Sequence, residues 1–258
     1  MVQTGGVGRR CCTVLALAVV LTWGLSAAPV PAQGPSPTGP AWQHAVEEIV
    51  QQYIRTHPEI IEESLQALDA RRQSEEKERV RKVIAARQAE LLQDPNSPVS
   101  GNLKGDVTVV EFFDYRCRFC KAVAGSVTQL QKDDSRVRVV YKDFPILGEA
   151  SELAAKAALA SRAQGKHQAF HEALLASKNE ITKDELLRIA GEVGLDAKKL
   201  DADMIDPEWQ TVIDRNHALA RELGITGTPG FIVGTELQPG ALDLNRLKEM
   251  VARARNGK

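Results

Sequence analysis

Cys117 and Cys120 stand three positions apart in EFFDYRCRFCKAVAG. Two thiols at that spacing can close a redox disulfide, supply half of a metal site, or fill a core. A structural zinc asks for four ligands, yet the chain has no second CxxC, and its five histidines show no compact ligand spacing. His167 and His171 form an i,i+4 pair in GKHQAFHE, a spacing that can bind metal but more often faces solvent on a helix. Neither a metal nor a cofactor is expected.

The redox reading has support from the flanking residues. VTVVEFF (107–113) is a short apolar, β-branched run of the buried-strand type, and the cysteine segment after it opens a helix to about Leu130. Cys117 then sits at a helix N-terminus, where free N–H groups and the dipole favour a thiolate. Arg118 adds a positive charge beside it. A stabilised thiolate stabilises the dithiol and makes the disulfide a stronger oxidant. Cys120, one turn further in, becomes the resolving thiol. Phe119 brings apolar area without a titratable group, suited to contact with a substrate or redox partner. Glu111, in the apolar strand, reads as an acid with a raised pKa that could shuttle a proton, or as a half-exposed strand residue. Lys142, on the second strand VRVVYKDF (137–144), is a candidate partner for Glu111. Thr228 and Pro229, in TGTPG, read on their own as an ordinary surface turn.

The elements that must hold these residues follow from patterning. The 258 residues carry a formal net charge of −1, with 26% charged and 5% aromatic residues, so nothing favours nucleic acid as a partner. Arg9 and Arg10 precede the apolar run TVLALAVVLTWGLSAA, and small residues at Val30 and Ala32 suit a signal peptidase. Residues 1–32 are expected to be a signal peptide cleaved after Ala32. The alternative, a retained anchor, is hard to fit because the run falls short of the roughly 20 residues a span requires. Whether export is Sec or twin-arginine stays open. Cys11 and Cys12 leave with the signal, and a single cysteine pair in an exported chain is a device rather than a scaffold.

A Pro/Gly/Ser linker (33–41) leads to a helical segment, 42–93, with one apolar face from Val46 through Ile54 and on to Leu68. The stretch DARRQSEEKERVRK has almost no apolar face, with i,i+4 pairs expected at Glu75–Arg79 and Glu78–Lys82. Residues 42–93 read as a helical appendage or, more fittingly for a stripe that cannot bury itself, an oligomerisation segment on a charged spacer. A second linker, 94–103, is the expected domain boundary. Beyond it, 104–258 alternates strand, helix, strand, several helices (149–223), strand and helix, an α/β domain with a helical insertion.

With these residues in view, EFFDYRCRFCK and TGTPGFIVG together resemble the paired signatures of the DsbA family of thioredoxin-fold oxidoreductases, over roughly 104–256. The N-terminal helices resemble those of ScsC-like members. The resemblance implies a thioredoxin fold with an inserted helical domain, behind an N-terminal oligomerisation segment. It implies a cis Pro229 facing the CxxC and a Thr228-cis-Pro pair of the kind common in disulfide isomerases. It also implies that Glu111 tunes proton transfer to the inner cysteine. The implied activity is thiol–disulfide exchange in the periplasm, as an isomerase or reductase on exported proteins with cysteines. The implied redox partner is a membrane thiol reductase of the DsbD or ScsB kind or an oxidase of the DsbB kind, and the implied assembly is a trimer or dimer. Arg118-Phe119 departs from the Pro-His of the best-known oxidase, so its strong oxidising power does not carry over. A monomeric dithiol oxidase, and a Cu(I)-binding or holdase module, are the other readings.

Overall fold

A computed structural model describes residues 39–257. The signal peptide, its cleavage after Ala32 and most of the 33–41 linker lie outside the described residues. The chain divides into two compact units, Met1–Glu63 and Ser64–Lys258.

In the first unit, α1 (Pro40–Thr56) starts with proline at its first position, where the missing N–H costs nothing. It buries no residue of its own. Trp42, Val46, Ile49, Val50, Tyr53 and Ile54 recur at helical spacing and are all exposed. Then α2 (Glu59–Ala86) begins, with Glu59 and Glu62 in its first turn.

The second unit holds the rest of α2, α3 (Gln88–Leu92) and a five-stranded sheet ordered β1-β3-β2-β4-β5. Strand β2 (Val107–Phe113) is central, parallel to β3 (Val137–Asp143) and antiparallel to β4 (Gly230–Val233). The short β1 (Val99–Gly101) and β5 (Glu236–Pro239) close the two edges. Alternation along β2 divides it between two cores. Val107, Val109 and Phe113 pack with residues of α4 (Arg118–Asp133) and α10 (Leu244–Asn256). Val110 and Phe112 pack on the opposite face with Val80, Ile84, Leu91 and the end of α9 (Pro207–Leu223). Between β3 and β4 run α5 (Glu149–Ala160), a 3-10 turn, α6 (His167–Ala176), α7 (Lys183–Glu192), α8 (Ala197–Asp203) and α9. This is an α/β thioredoxin fold with a helical insertion, preceded by a helical segment.

Two expectations need correction. The 94–103 stretch is not a linker between domains: it contains β1, which pairs with β3, and Asp94 and Ser97 both reach Lys142. The charged part of α2 is not polar all round either. Val80 and Ile84, one turn apart, give it a single narrow buried stripe, and Arg79 and Arg87 tie it to Glu222 of α9. The surface ion pairs differ accordingly, with Arg71 on Glu75 and Arg79 on Glu76. No helix among the described residues is long and apolar enough to cross a membrane.

Candidate active site

The site forms where β2 ends and α4 begins. Cys117 is the N-cap of α4, in extended conformation, and its sulfur accepts the Cys120 N–H at 3.4 Å. This is the geometry that Ser, Thr or Asp supplies at other helix starts, here made by sulfur. The Cys117 thiol also donates to the Thr228 carbonyl at 3.2 Å, and the Thr228–Pro229 peptide is cis. Thr228, far from the cysteines in sequence, thus joins them in one hydrogen-bonded group. Both cysteines are free thiols; Cys120 is fully buried and Cys117 keeps 6% of its surface. Burial pushes the Cys120 thiol far above its ordinary range, with the Asp114 main-chain amide pulling the other way.

Glu111 lies on the α4 side of β2, between Tyr141 of β3 and Phe231 of β4 in register. It is buried, and burial alone raises its pKa to about 8. The half-exposed alternative for Glu111 therefore does not hold. Near it lie Tyr115, Tyr141 and His171: Tyr115 Oη and His171 Nδ1 are 3.0 Å apart, and the His171 and Tyr141 rings are 4.4 Å apart. His171 does not face solvent as its helical spacing suggested. Burial lowers its pKa to about 3 and holds the imidazole neutral. Asp143, two residues past Tyr141, has both carboxyl oxygens buried without a hydrogen bond, and burial raises it to about 8.

Lys142 is not the partner of Glu111. It pairs with Phe112 in register, on the other face, because one step along a strand reverses the side chain. There its ammonium donates to the Glu90 carbonyl (2.7 Å), Asp94 (3.1 Å) and Ser97 (2.6 Å). Arg118 turns its guanidinium over the exposed Phe119 ring, 4.6 Å from the centroid. Its contact is thus with Phe119, and the groups bonded to the Cys117 sulfur are Cys120 N–H and Thr228 C=O. Among the described residues, no group of three or more His, Cys, Asp or Glu side chains could hold a metal ion.

One functional candidate escaped sequence reading. Asp114, almost fully buried in the turn between β2 and α4, accepts from Arg116 N–H, Ile146 N–H, Leu147 N–H and the Ser151 hydroxyl. Only its place three residues before Cys117 hinted at such a function.

Residues 108–252 match the DSBA-like thioredoxin domain, and residues 43–75 match the copper resistance protein ScsC N-terminal domain. A thioredoxin-like oxidoreductase from Silicibacter pomeroyi DSS-3 is 49% identical, with a TM-score of 0.64 over 65% of this chain and 97% of that one. Proteus mirabilis ScsC, in a transitional conformation, is 26% identical, with a TM-score of 0.65 over 85% of this chain and all of its own. The Na(+)/H(+) antiporter NhaA 3 of Salinispora tropica is 30% identical over 158 residues, 60% of this chain and 24% of the antiporter. The chain therefore spans about a quarter of the length of the curated antiporters it matches. With more than half of its residues matched, the chain belongs to the family of DSBA-like thioredoxin domains.

Proposed function

We propose that the chain is a periplasmic thiol–disulfide oxidoreductase that acts mainly as a disulfide isomerase or reductase on exported proteins. The observation that carries this is Cys117 at the N-cap of α4, bonded to the Thr228 carbonyl, with Cys120 buried behind it. Cys117 thiolate attacks one sulfur of a client disulfide, forming a mixed disulfide and releasing the other client sulfur as thiolate. For resolution, Cys120 gives its proton to the Glu111 carboxylate and attacks Cys117 Sγ. The Cys117–Cys120 disulfide closes, and the client leaves with two thiols and the electrons. In isomerisation a client thiol performs the second attack instead. Glu111, with a pKa near 8, is matched to take and return that proton around neutral pH.

Support for isomerisation over oxidation comes from Thr228 before the proline and from the exposed apolar stripe of 42–68, which suits a homodimer or homotrimer with several sites around one space. The periplasmic setting rests on the expected signal. A membrane thiol reductase would keep the pair reduced, whereas a membrane oxidase would make it a dithiol oxidase. Refolding of scrambled ribonuclease tests the reading: reactivation by wild type that Cys117→Ser abolishes is expected, and no reactivation overturns the isomerase. A pair found mostly oxidised in cells would favour the oxidase, and tight stoichiometric Cu(I) binding without exchange would favour the metal-binding alternative.

A further inference from the structure

We propose that Asp114 is the positioning residue of the redox pair, resting on the thiol–disulfide reading above. Its carboxylate locks the turn that delivers Cys117 to the loop and helix that follow β3. Four donors converge on it from three places. Arg116 N–H comes at 2.7 Å from the turn itself, Ile146 and Leu147 N–H come at 2.9 and 3.1 Å from the loop after β3, and the Ser151 hydroxyl comes at 2.8 Å from α5. A carboxylate has four lone-pair sites, and all four are filled. Its own main chain completes the tie, since the Asp114 carbonyl accepts the Cys117 N–H at 3.0 Å. A second strap runs parallel: the Arg116 guanidinium donates to the Leu147 carbonyl.

The consequence is that the turn 114–117 and the loop 145–148 move as one body. That loop exposes Ile146 and Leu147, so the same carboxylate sets the nucleophile and the apolar edge of the loop anchored to it. No helix or strand spans residues 114–117; besides Asp114, the turn is held by the buried Tyr115 ring, whose hydroxyl lies 3.0 Å from His171 Nδ1. Asparagine at 114 keeps the shape but sets an NH2 against main-chain N–H donors. On the Oδ2 side it loses the Ile146 and Leu147 bonds, and on the Oδ1 side the Arg116 bond, with the Ser151 hydroxyl reversing to accept. The dithiol depends on this anchor more than the disulfide does, because an S–S bond between Cys117 and Cys120 would hold the turn by itself.

Two measurements on the full chain read this directly. In Asp114→Asn, attack of Cys117 on dithiobisnitrobenzoate should slow about tenfold, the scale of a misplaced nucleophile. The glutathione ratio for half-reduction should also shift about threefold or more, making the pair harder to reduce. Ser151→Ala removes one donor and should move both in the same direction, by about twofold. An anchor that merely stabilised the fold would lower the melting temperature of oxidised and reduced protein alike and leave the glutathione ratio unchanged. That result in folded Asp114→Asn overturns the proposal. If that variant does not fold, an unchanged rate and ratio in Ser151→Ala overturn it. Both assays read the cysteine pair and not a client, so a chain inactive on scrambled ribonuclease with these shifts intact loses only the proposed function.

Discussion

Glu111 and Lys142 are buried on adjacent strands, one residue out of register and on opposite faces of one sheet. Lys142 has three acceptors within 3.1 Å, including the carboxylate of Asp94. Among the described residues, the Glu111 carboxyl has no side-chain hydrogen bond set against burial, which alone raises its proton affinity. A buried charge with its full set of acceptors fastens chain segments together; here it pins 90–97 to the sheet. A buried acid without an ion-pair partner weakens the fold when it ionises, and this one lies close enough to Cys120 to raise its thiol, where the proposed chemistry would use it. The two faces thus separate anchoring from chemistry.

The contrast can be tested by removing one face. Deleting residues 39–93 takes away Val80, Ile84, Leu91 and the Glu90 carbonyl, which is about 6 kcal/mol of apolar burial before any polar loss, enough to unfold most domains. Deletion through Glu63 spares all of these, and circular dichroism melts should show a folded domain. A cooperative, native-like melt for the longer deletion would break the assignment of that face to anchoring.

Next in size, Lys142→Ala should cost about 3 kcal/mol in urea unfolding at pH 7, because Asp94 and the Glu90 carbonyl lose their buried donor. Glu111→Gln should do the reverse at high pH. The folded state raises Glu111 from 4.5 to about 8, so it holds a proton that the unfolded chain releases. That stabilisation is complete below about pH 4.5 and is lost as pH rises through 8, with Asp143 acting in the same direction. Stability of the wild type should therefore fall between pH 5 and 8. The glutamine variant should fall less, leaving it roughly 2 kcal/mol more stable at pH 9 after the cost of a buried amide. Equal slopes for the two proteins would contradict an unpaired acid at 111.

The smallest effect expected is kinetic. Glu111→Gln should slow release of the second client thiol about tenfold at pH 7 while the first attack by Cys117 changes little, seen as accumulated mixed disulfide on quenched gels. Lys142→Ala, where folded, should leave both steps alike.

Much of the site could be read from the chain because its signals are local. A CxxC after an apolar strand places Cys117 at a helix start, and Pro229 before FIV marks the loop that meets it. Longer-range facts carried no such mark. Strands β1 and β5, of three and four residues, are too short for alternation to register. The burial of α2 rests on two residues in a charged stretch, which looks like a solvated spacer until the sheet is present to receive Val80 and Ile84. The pairing of Lys142 with Glu111 failed on strand parity, and the helical spacing of His171 could not tell that an aromatic cluster awaited it. Asp114 was hidden because three of its four donors, Ile146 and Leu147 N–H and the Ser151 hydroxyl, come from beyond β3.

The two short edge strands have one more consequence. If the chain acts on unfolded proteins as proposed, those proteins could zip onto its open sheet edges. Here β5 offers four residues that end in Pro239 and carry Glu236, and β1 offers three that end in the left-handed Gly101. Such edges give a visiting polypeptide little length to extend and a charge, a missing N–H or a twist at their ends. Under the proposed function, clients would reach the sulfur without the protein becoming a seed for their aggregation.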